Sequence, residues 1–364
     1  MLKSFRFLLL LTLLGFGLKA QVHQPAVEQM HQPTVEEQGL VKWLTFNEAL
    51  ELNKKQPKPF LIDIYTDWCG WCKQMMRTTY TDQNLAGYIN TWFYPVKFNA
   101  EGHDTIEYQG VKYFNPGKEP RSTHQLALKF LGNQLTYPST LFISNNFQFQ
   151  LNTSGYLDNK QIEPILVYTV ENIFRTTAYE EFKTHFQKAF YDTSKVKGPE
   201  TKWYSLSEAQ KLNKKEPRKF IFDIYTTWCN GCQVMNKTTF NDPKIREYLN
   251  KHFYLINLNA ETKDTLTFGG KTYYNTGTNG TPFHDLVMEL SNRNISLPSL
   301  ILMDEMMKPI DTLPFYISPE TLEPILSFYG DNAYKTEKWA DYVKRFSEKN
   351  MEKAQKTEKT EKKK

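Results

Sequence analysis

The second half of the chain repeats the first half at a constant offset of 160 residues. Several chemically distinctive residues recur at this spacing: Trp43 and Trp203, Cys69 and Cys229, Cys72 and Cys232, Glu101 and Glu261, His124 and His284, Pro138 and Pro298. No insertion interrupts the register, which continues to Phe186 and Phe346. A unit of this length can hold its own core, so it is a domain rather than a solenoid repeat. The sequence therefore predicts two copies of one domain.

The repeat sets the boundaries of the two domains, which we place at residues 41–190 and 203–347. Residues 191–202 between them contain Asp, Gly and Pro and are predicted to be a linker. Residues 21–40 have little apolar content and are predicted to be a flexible spacer. Residues 348–364 are rich in Lys and are predicted to be a disordered tail.

Residues 1–20 have the pattern of a secretory signal peptide. Lys3 and Arg6 supply the positive start, an apolar stretch follows, and the small residue Ala20 precedes Gln21 at the expected cleavage point. The apolar stretch is short for a membrane span, and an uncleaved anchor is the alternative. We expect an exported protein, periplasmic or secreted, with no stable membrane anchor beyond the signal peptide.

The formal net charge of +5 does not indicate a nucleic-acid-binding protein. Residues 344–364 carry nine Lys or Arg and four Glu, and the signal-peptide region adds three positive residues. Removing these eight net positive charges from +5 leaves about −3 for the rest of the chain. No basic surface for DNA or RNA is therefore expected.

Both copies have the same predicted order of elements: helix, strand, helix, helix, strand, inserted hairpin, helix, strand, strand, helix. The run Phe60–Tyr65 is almost continuously apolar, as in a central strand that is buried on both faces. Thr45 and Glu48 form a capping-box pattern that opens the first helix. Strands that alternate with helices predict an α/β fold with a central mixed sheet flanked by helices.

All four cysteines lie in two Cys-x-x-Cys pairs, each where a predicted strand gives way to a predicted helix. A sulfur at a helix N-terminus faces unpaired backbone N–H groups and the positive end of the helix dipole, which stabilise a thiolate. A residue three positions later lies within disulfide distance. Cys69 and Cys229 are therefore the candidate nucleophiles. Cys72 and Cys232 are the candidate resolving residues.

These pairs suit redox chemistry better than stabilisation of the fold. Exported proteins often use cysteines as structural disulfides, but a disulfide between residues i and i+3 closes a very small loop and restricts the unfolded chain little. A zinc site shared by both pairs is the alternative. Because it would have to join cysteines of two domains, we expect no metal. Nucleotide and phosphate-binding motifs are absent from the sequence, and no cofactor is expected.

Both halves resemble thioredoxin-fold proteins, over residues 43–175 and 203–335. In each copy a Trp precedes the first cysteine, an Asp lies six residues before that cysteine, and a Pro lies 66 residues after the second: Trp68, Asp63 and Pro138, and Trp228, Asp223 and Pro298. The pattern is similar to an exported subgroup that includes the thioredoxin-like C-terminal domain of the periplasmic thiol:disulfide interchange protein. The resemblance implies two tandem thioredoxin-like domains, each with a hairpin inserted before a cis-Pro segment.

The resemblance assigns a proton-transfer role to two aspartates and a lysine. In this family an aspartate beneath the disulfide helps to move the proton of the second cysteine. Asp63 and Asp223 occupy the matching positions among apolar neighbours, where a carboxylate without a task is costly. Aspartates on an exposed strand face are the alternative. Lys97 resembles the lysine that partners this aspartate, whereas its counterpart in the second copy is Asn257.

The resemblance also implies a substrate-binding surface around each pair. The bonds Tyr137–Pro138 and Leu297–Pro298 match the family's cis-proline turn, which presents backbone to an extended substrate segment. An ordinary proline at the start of a strand is the alternative. The residues expected to flank the sites or to contact substrate are Trp68, Trp71, Trp228, Tyr137, Pro138, Leu297 and Pro298.

The two sites differ in sequence. Gly70 and Trp71 separate the cysteines of the first pair, and Asn230 and Gly231 separate those of the second. Residues at these positions tune thiolate stability, so the two reduction potentials are expected to differ. A positive residue, Lys73, follows the first pair only. We expect the first domain to be the main catalyst and the second to be a relay or a client clamp.

Together these features predict an exported thiol:disulfide oxidoreductase that exchanges disulfides with protein substrates through both pairs. Its partners would be proteins with disulfides or thiols, together with an unidentified redox partner that recharges the sites. The alternative is a non-catalytic, chaperone-like thioredoxin-fold module that binds client proteins and whose cysteine pairs are inert or structural.

Overall fold

The computed structural model of the chain describes residues 39–132, 135–194, 200–277 and 280–361. The predicted signal peptide, most of the predicted spacer and residues 195–199 of the predicted linker lie outside these ranges. Within the described ranges, no helix is both long enough and apolar enough to cross a membrane.

Both domains contain the predicted order of elements, and each ends with one further helix that the sequence did not predict. The first domain consists of α1 Phe46–Lys55, β1 Phe60–Tyr65, α2 Gly70–Arg77, α3 Gln83–Trp92, β2 Tyr94–Asn99, β3 Ile106–Tyr108, β4 Val111–Tyr113, α4 Gln125–Leu131, β5 Ser139–Ile143, β6 Gln150–Ser154, α5 Asn159–Val170 and α6 Tyr179–Tyr191. The second domain consists of β7 Trp203–Tyr204, α7 Leu206–Asn213, β8 Lys219–Tyr225, α8 Asn230–Lys237, α9 Pro243–His252, β9 Phe253–Asn259, β10 Leu266–Phe268, β11 Lys271–Tyr273, α10 Asp285–Leu290, β12 Ser299–Met303, β13 Pro309–Pro314, α11 Pro319–Gly330 and α12 Trp339–Glu361.

The strand before each cysteine pair lies in the interior of its sheet. The first sheet has the order β2-β1-β5-β6, with β1 parallel to β2 and antiparallel to β5. The second has the order β13-β12-β8-β9-β7. Phe60, Ile62 and Ile64 enter an apolar cluster with α1 and α4, while Leu61 enters another with α2, α3 and α5. Both faces of β1 are therefore covered, and the predicted α/β fold is confirmed.

Both predicted hairpins are present. Each lies between the second strand of its domain and the helix that precedes Pro138 or Pro298. They are formed by β3 with β4 and by β10 with β11. Gln109 and Gly110 both have positive φ angles of 52° and 78°, and Gly269 and Gly270 have 57° and 82°. Two consecutive positive φ angles are typical of a two-residue hairpin turn.

Three segments differ from their predicted assignments. Leu40, assigned to the spacer, donates its N–H to the carbonyl of Tyr80 at 2.7 Å and so belongs to the first domain. Thr201, assigned to the linker, is buried and donates to the carbonyl of Phe240. The tail predicted to be disordered is helical as far as Glu361. Its Lys, Glu and Ala residues are strong helix formers, so the composition that suggested disorder also suits a helix.

Helix α6 is the last element of the first domain in sequence but packs in the core of the second. Phe182 and Phe186 are 0% and 4% exposed, in one apolar cluster with Val234 and Met235 of α8. The ring of Phe182 also contacts that of Tyr316, with centroids 5.2 Å apart. The two domains therefore share one of their apolar clusters and are not independent units.

Replacing Phe182 tests this shared core. We expect Phe182→Ala to lower the free energy of unfolding by about 3–5 kcal/mol, the range for a fully buried Phe. Phe114→Ala, at a side chain that is 45% exposed, should change it by less than about 0.5 kcal/mol. Urea unfolding followed by fluorescence measures both. Two well-separated transitions in the unmodified chain, with Phe182→Ala without effect, would contradict a shared core.

Candidate functional site

Each cysteine pair sits at the N-terminus of the helix that follows the central strand. Cys69 is the N-cap of α2, and its sulfur accepts the N–H of Cys72 at 3.1 Å. Cys229 has the same position on α8, with the N–H of Cys232 also at 3.1 Å. Both pairs are disulfides with Cα atoms 5.3 Å apart. Each disulfide joins two residues of one domain.

The first site opens to solvent and has an aromatic rim. Trp68 and Trp71 are 52% and 65% exposed, although Cys69 between them is only 4% exposed. Trp68 is held in place because its Nε1–H donates to Glu101 at 2.9 Å and its ring contacts Tyr137, with centroids 6.0 Å apart. Among the described residues, the N–H groups of residues 70 and 71 have no acceptor. These two donors lie at the positive end of α2, where a thiolate would gain most from them.

Lys97 and Asp63 form an ion pair beside a pocket that Cys72 also lines. They face each other in the β1–β2 register, and Lys97 Nζ donates to Asp63 Oδ2. The Lys97 ammonium also lies 4.5 Å from the centre of the Tyr65 ring. A pocket of about 380 Å³ is lined by Lys97 and Cys72, among others, and connects both to solvent. Cys72 and the ion pair of Lys97 with Asp63 therefore adjoin the same pocket.

The second site lacks this ion pair. Asp223 faces Asn257 in the β8–β9 register, and among the described residues Asp223 Oδ1 has no hydrogen-bond partner. Burial without a compensating charge raises the pKa of Asp223 to about 8. The sequence correctly predicted the missing partner charge, and the structure adds its consequence: Asp223 keeps its proton near neutral pH.

The second disulfide is covered by the first domain. Cys229 is fully buried, and the ring of Trp228 stacks on that of Trp92 with centroids 5.4 Å apart. The carboxylate of Glu171, at the end of α5, accepts the N–H of Asn230 at 2.9 Å and that of Gly231 at 2.8 Å. The sequence did not single out Glu171. The one available signal was a glycine at position 231 where the first copy has a large side chain.

The two prolines lie where the sequence placed them. The bonds Tyr137–Pro138 and Leu297–Pro298 are both cis, and β5 and β12 begin at the next residue. Tyr137 contacts Trp68 at the first site. Leu297 lines a cleft of about 720 Å³ between the domains, together with Cys229 and Trp228.

His124 and His284 have a structural role. Each is fully buried and caps a helix, because its Nδ1 accepts the N–H of the residue two positions later at 3.0 Å or 3.1 Å. The other ring nitrogen lies 2.8 Å or 3.0 Å from the carbonyl of Asp104 or Asp264. Both nitrogens are thus occupied by backbone groups.

Two family models match the chain, one in each half. The model Thioredox_DsbH, described as "Protein of unknown function, DUF255", matches residues 30–115. The model Thioredoxin_2, described as a thioredoxin-like domain, matches residues 206–330. The protein is a thioredoxin-fold protein that resembles Dsb-type proteins. It consists of two tandem thioredoxin-like domains, each with an inserted hairpin.

Three solved structures that are similar to parts of this thioredoxin-fold protein have names that refer to disulfide chemistry. A DsbH oxidoreductase is 13% identical over 38% of this chain and 90% of that chain, with a TM-score of 0.27. A putative disulphide-isomerase from Bacteroides thetaiotaomicron is 19% identical over 40% of this chain and 100% of that chain (TM-score 0.28). The oxidised C-terminal domain of DsbD from Neisseria meningitidis is 17% identical over 36% and 99% (TM-score 0.24). No curated protein matches the chain.

The two aspartates should respond to substitution with opposite signs. Asp63→Asn leaves Lys97 without its counter-charge, and we expect a loss of about 1–3 kcal/mol in the free energy of unfolding. Asp223 binds a proton up to about pH 8 in the folded protein, whereas an unfolded aspartate loses it near pH 4. The folded state therefore binds more protons between these values, and stability falls as pH rises through this window.

Asp223→Asn removes this fall, so the variant should gain stability relative to the unmodified oxidised protein between about pH 5 and about pH 8. The gain can reach about 1.4 kcal/mol per pH unit. Urea unfolding at several pH values measures it. A constant difference between the two proteins across this range would show that Asp223 does not titrate there.

Proposed function

We propose that this thioredoxin-fold protein is a thiol:disulfide oxidoreductase that exchanges disulfides with other proteins, mainly through its first site. The observation that carries the proposal is the position of Cys69. It caps α2 beside two N–H donors that have no acceptor in the described part of the chain, and it lies inside an exposed aromatic rim. The donors favour the thiolate form of Cys69, which is the nucleophile in disulfide exchange.

In the reduced state, the Cys69 thiolate attacks a substrate disulfide. A bond forms between Cys69 Sγ and one substrate sulfur, and the other substrate sulfur leaves with the electron pair and takes up a proton. Cys72 then loses its proton and attacks Cys69 Sγ, which releases the second substrate sulfur. The substrate gains two electrons and two protons, and the Cys69–Cys72 disulfide forms. The same steps in reverse transfer a disulfide to the substrate, and the redox partner sets the direction.

The Asp63 carboxylate would accept the proton that Cys72 releases, with the Lys97 ammonium as its counter-charge. Their ion pair lies beside the pocket that reaches Cys72, so the proton can pass to solvent through it. The second site has only Asp223 in this role, and its proton is held to about pH 8. This difference supports the first domain as the main catalyst.

The exposed rim supports protein rather than small-molecule substrates. Trp68, Trp71 and Tyr137 offer a broad apolar surface for an extended segment around a substrate disulfide. Pro138 and Pro298 are proposed to present backbone to such a segment, as the resemblance implies. A separate redox partner, whose identity the fold does not specify, would recharge the cysteines.

Trapping a substrate tests the roles of the two cysteines. With Cys72→Ser, Cys69 should form mixed disulfides with client proteins that persist until a reducing agent is added. With Cys69→Ser and Cys72→Ser together, these adducts should disappear. Non-reducing electrophoresis detects them, and insulin reduction measures turnover. If the same clients co-purify without a covalent bond and the unmodified protein does not reduce insulin, the non-catalytic client-binding alternative is favoured instead.

We further propose that the protein is exported, on the basis of its N-terminal pattern. The mature chain purified from producing cells should begin at Gln21 and be found in the periplasmic or extracellular fraction. Leu9→Arg, which interrupts the apolar stretch, should keep it in the cytoplasm with Met1 or Leu2 at its N-terminus. Mass spectrometry of the N-terminal peptide decides this. An unprocessed, cytoplasmic chain without the substitution would exclude export.

A further inference from the structure

Glu171 brings a carboxylate of the first domain into direct contact with the second cysteine pair. Its two oxygens accept the N–H groups of Asn230 and Gly231, the first two residues of α8. Glu171 Oε2 also lies 3.5 Å from Cys229 Sγ. At the first site, the equivalent N–H groups of residues 70 and 71 have no acceptor among the described residues. The same helix terminus is thus occupied in one domain and open in the other.

We propose that Glu171 is a component of the second redox site that suppresses the nucleophilicity of Cys229 and stabilises the Cys229–Cys232 disulfide. The inference rests on the proposed function, since it assigns a reactivity to one of the two exchange sites. It makes the first domain the regulator of the second site rather than only a second copy of it.

Competition for the same donors supplies the physical reason. A Cys229 thiolate could reach the N–H groups of Asn230 and Gly231 only by displacing Glu171. Above about pH 8, where Glu171 is ionised, the thiolate would also form beside a second negative charge. Both effects disfavour the thiolate. A less stable thiolate makes the reduced form less stable, so the site becomes harder to reduce and its potential falls.

The second domain leaves space for the Glu171 carboxylate at Gly231. A Cβ atom on Gly231 would lie 2.3 Å from Glu171 Oε2 and 3.3 Å from Ile173 Cδ1, so only glycine leaves room for the carboxylate. The first copy has Trp71 at this position. The counterpart of Glu171 is Asp331, which accepts instead from the hydroxyl of Tyr248 at 2.6 Å. The contact therefore exists once in the described chain, although the domain is duplicated.

The titratable groups around Glu171 give the contact a pH dependence. Burial raises the pKa of Glu171 to about 8, against the lowering effect of its two N–H donors. Tyr88 of α3 is partly buried close by, and burial together with the charge of Glu171 raises its pKa well above the usual value. Lys58 lines the same cleft. A thiolate on Cys229 would raise the pKa of Glu171 further, so reduction of this site should be accompanied by proton uptake at Glu171.

Reduction by dithiothreitol gives a defined reaction for measuring the effect. A thiolate of the reagent bonds to one sulfur of the Cys229–Cys232 disulfide, and the other sulfur leaves with the electron pair and is protonated. The second thiolate of the reagent then displaces the bound cysteine. The protein gains two electrons and two protons, and the reagent becomes a cyclic disulfide.

The experiment uses the full chain with Cys69→Ser and Cys72→Ser, so that only the second pair reacts. Adding Glu171→Gln should raise the rate of Cys229 alkylation by iodoacetamide just above pH 8, where Glu171 is ionised, by at least about tenfold, the effect of one pKa unit on the thiolate population. The equilibrium with dithiothreitol should shift at least about tenfold towards the dithiol, about 30 mV. The apparent pKa of Cys229, followed by thiolate absorbance, should fall.

Two further variants distinguish the effect of the Glu171 carboxylate on Cys229 from the effect of a less well packed site. Gly231→Ala should act in the same direction as Glu171→Gln, because its Cβ displaces the carboxylate. Asp331→Asn, which removes the equivalent carboxylate of the second domain, should leave all three measurements unchanged. If Glu171→Gln leaves the rate, the equilibrium and the pKa unchanged, or if the pKa stays constant while the rate alone rises, the proposal is wrong.

Failure of this proposal can be distinguished from failure of the proposed function. That function is decided by insulin reduction in a chain with Cys229→Ser and Cys232→Ser, where only the first pair reacts. A failure there refutes protein disulfide exchange at Cys69, whereas the alkylation and equilibrium measurements still report whether Glu171 restrains Cys229.

Discussion

The insertion of α6 into the core of the second domain determines how the two copies relate to each other. Phe182 and Phe186 leave their own domain and pack against α8 and Tyr316, and the hydroxyl of Thr176 donates to the carbonyl of Tyr316 at 2.5 Å. This packing fixes the end of α5 against the start of α8. The burial of Cys229, the stacking of Trp92 on Trp228 and the position of Glu171 all depend on it.

The two copies of the domain therefore have the same fold but different electrostatic environments at their cysteine pairs. The first site combines an ion pair, a solvent pocket and two open N–H donors at an exposed rim. The second combines a lone buried aspartate, a covered sulfur and a carboxylate on the same two N–H donors. The stability of a thiolate depends on each of these features. Two domains with the same order of strands and helices can therefore have cysteine pairs of different reactivity. The difference arises from a few side chains, chiefly Lys97 and Glu171.

Features contained in one segment or carried by the repeat were predictable from the sequence. The central strand Phe60–Tyr65, the caps and the hairpins follow from local patterns and from the 160-residue register. The pairing of Asp63 with Lys97 follows from the resemblance to thioredoxin-fold proteins. The packing between the domains was not predictable, because the repeat itself suggests two equivalent and separate copies. Nothing in the apolar pattern of α6 indicates which domain it covers. Glu171 has an ordinary acidic side chain at a helix end, and only the tertiary structure shows it to be buried.

The absence of a side chain at Gly231 fixes the order of the two domains along the chain. A carboxylate at the end of α5 fits the second domain only because position 231 has no Cβ, and the matching position of the first domain carries the indole of Trp71. If the two domains were exchanged in order, that indole would face the carboxylate of Asp331 and the interface could not close in the same way. The two halves are thus no longer interchangeable modules: each has become specific for its own place in the polypeptide.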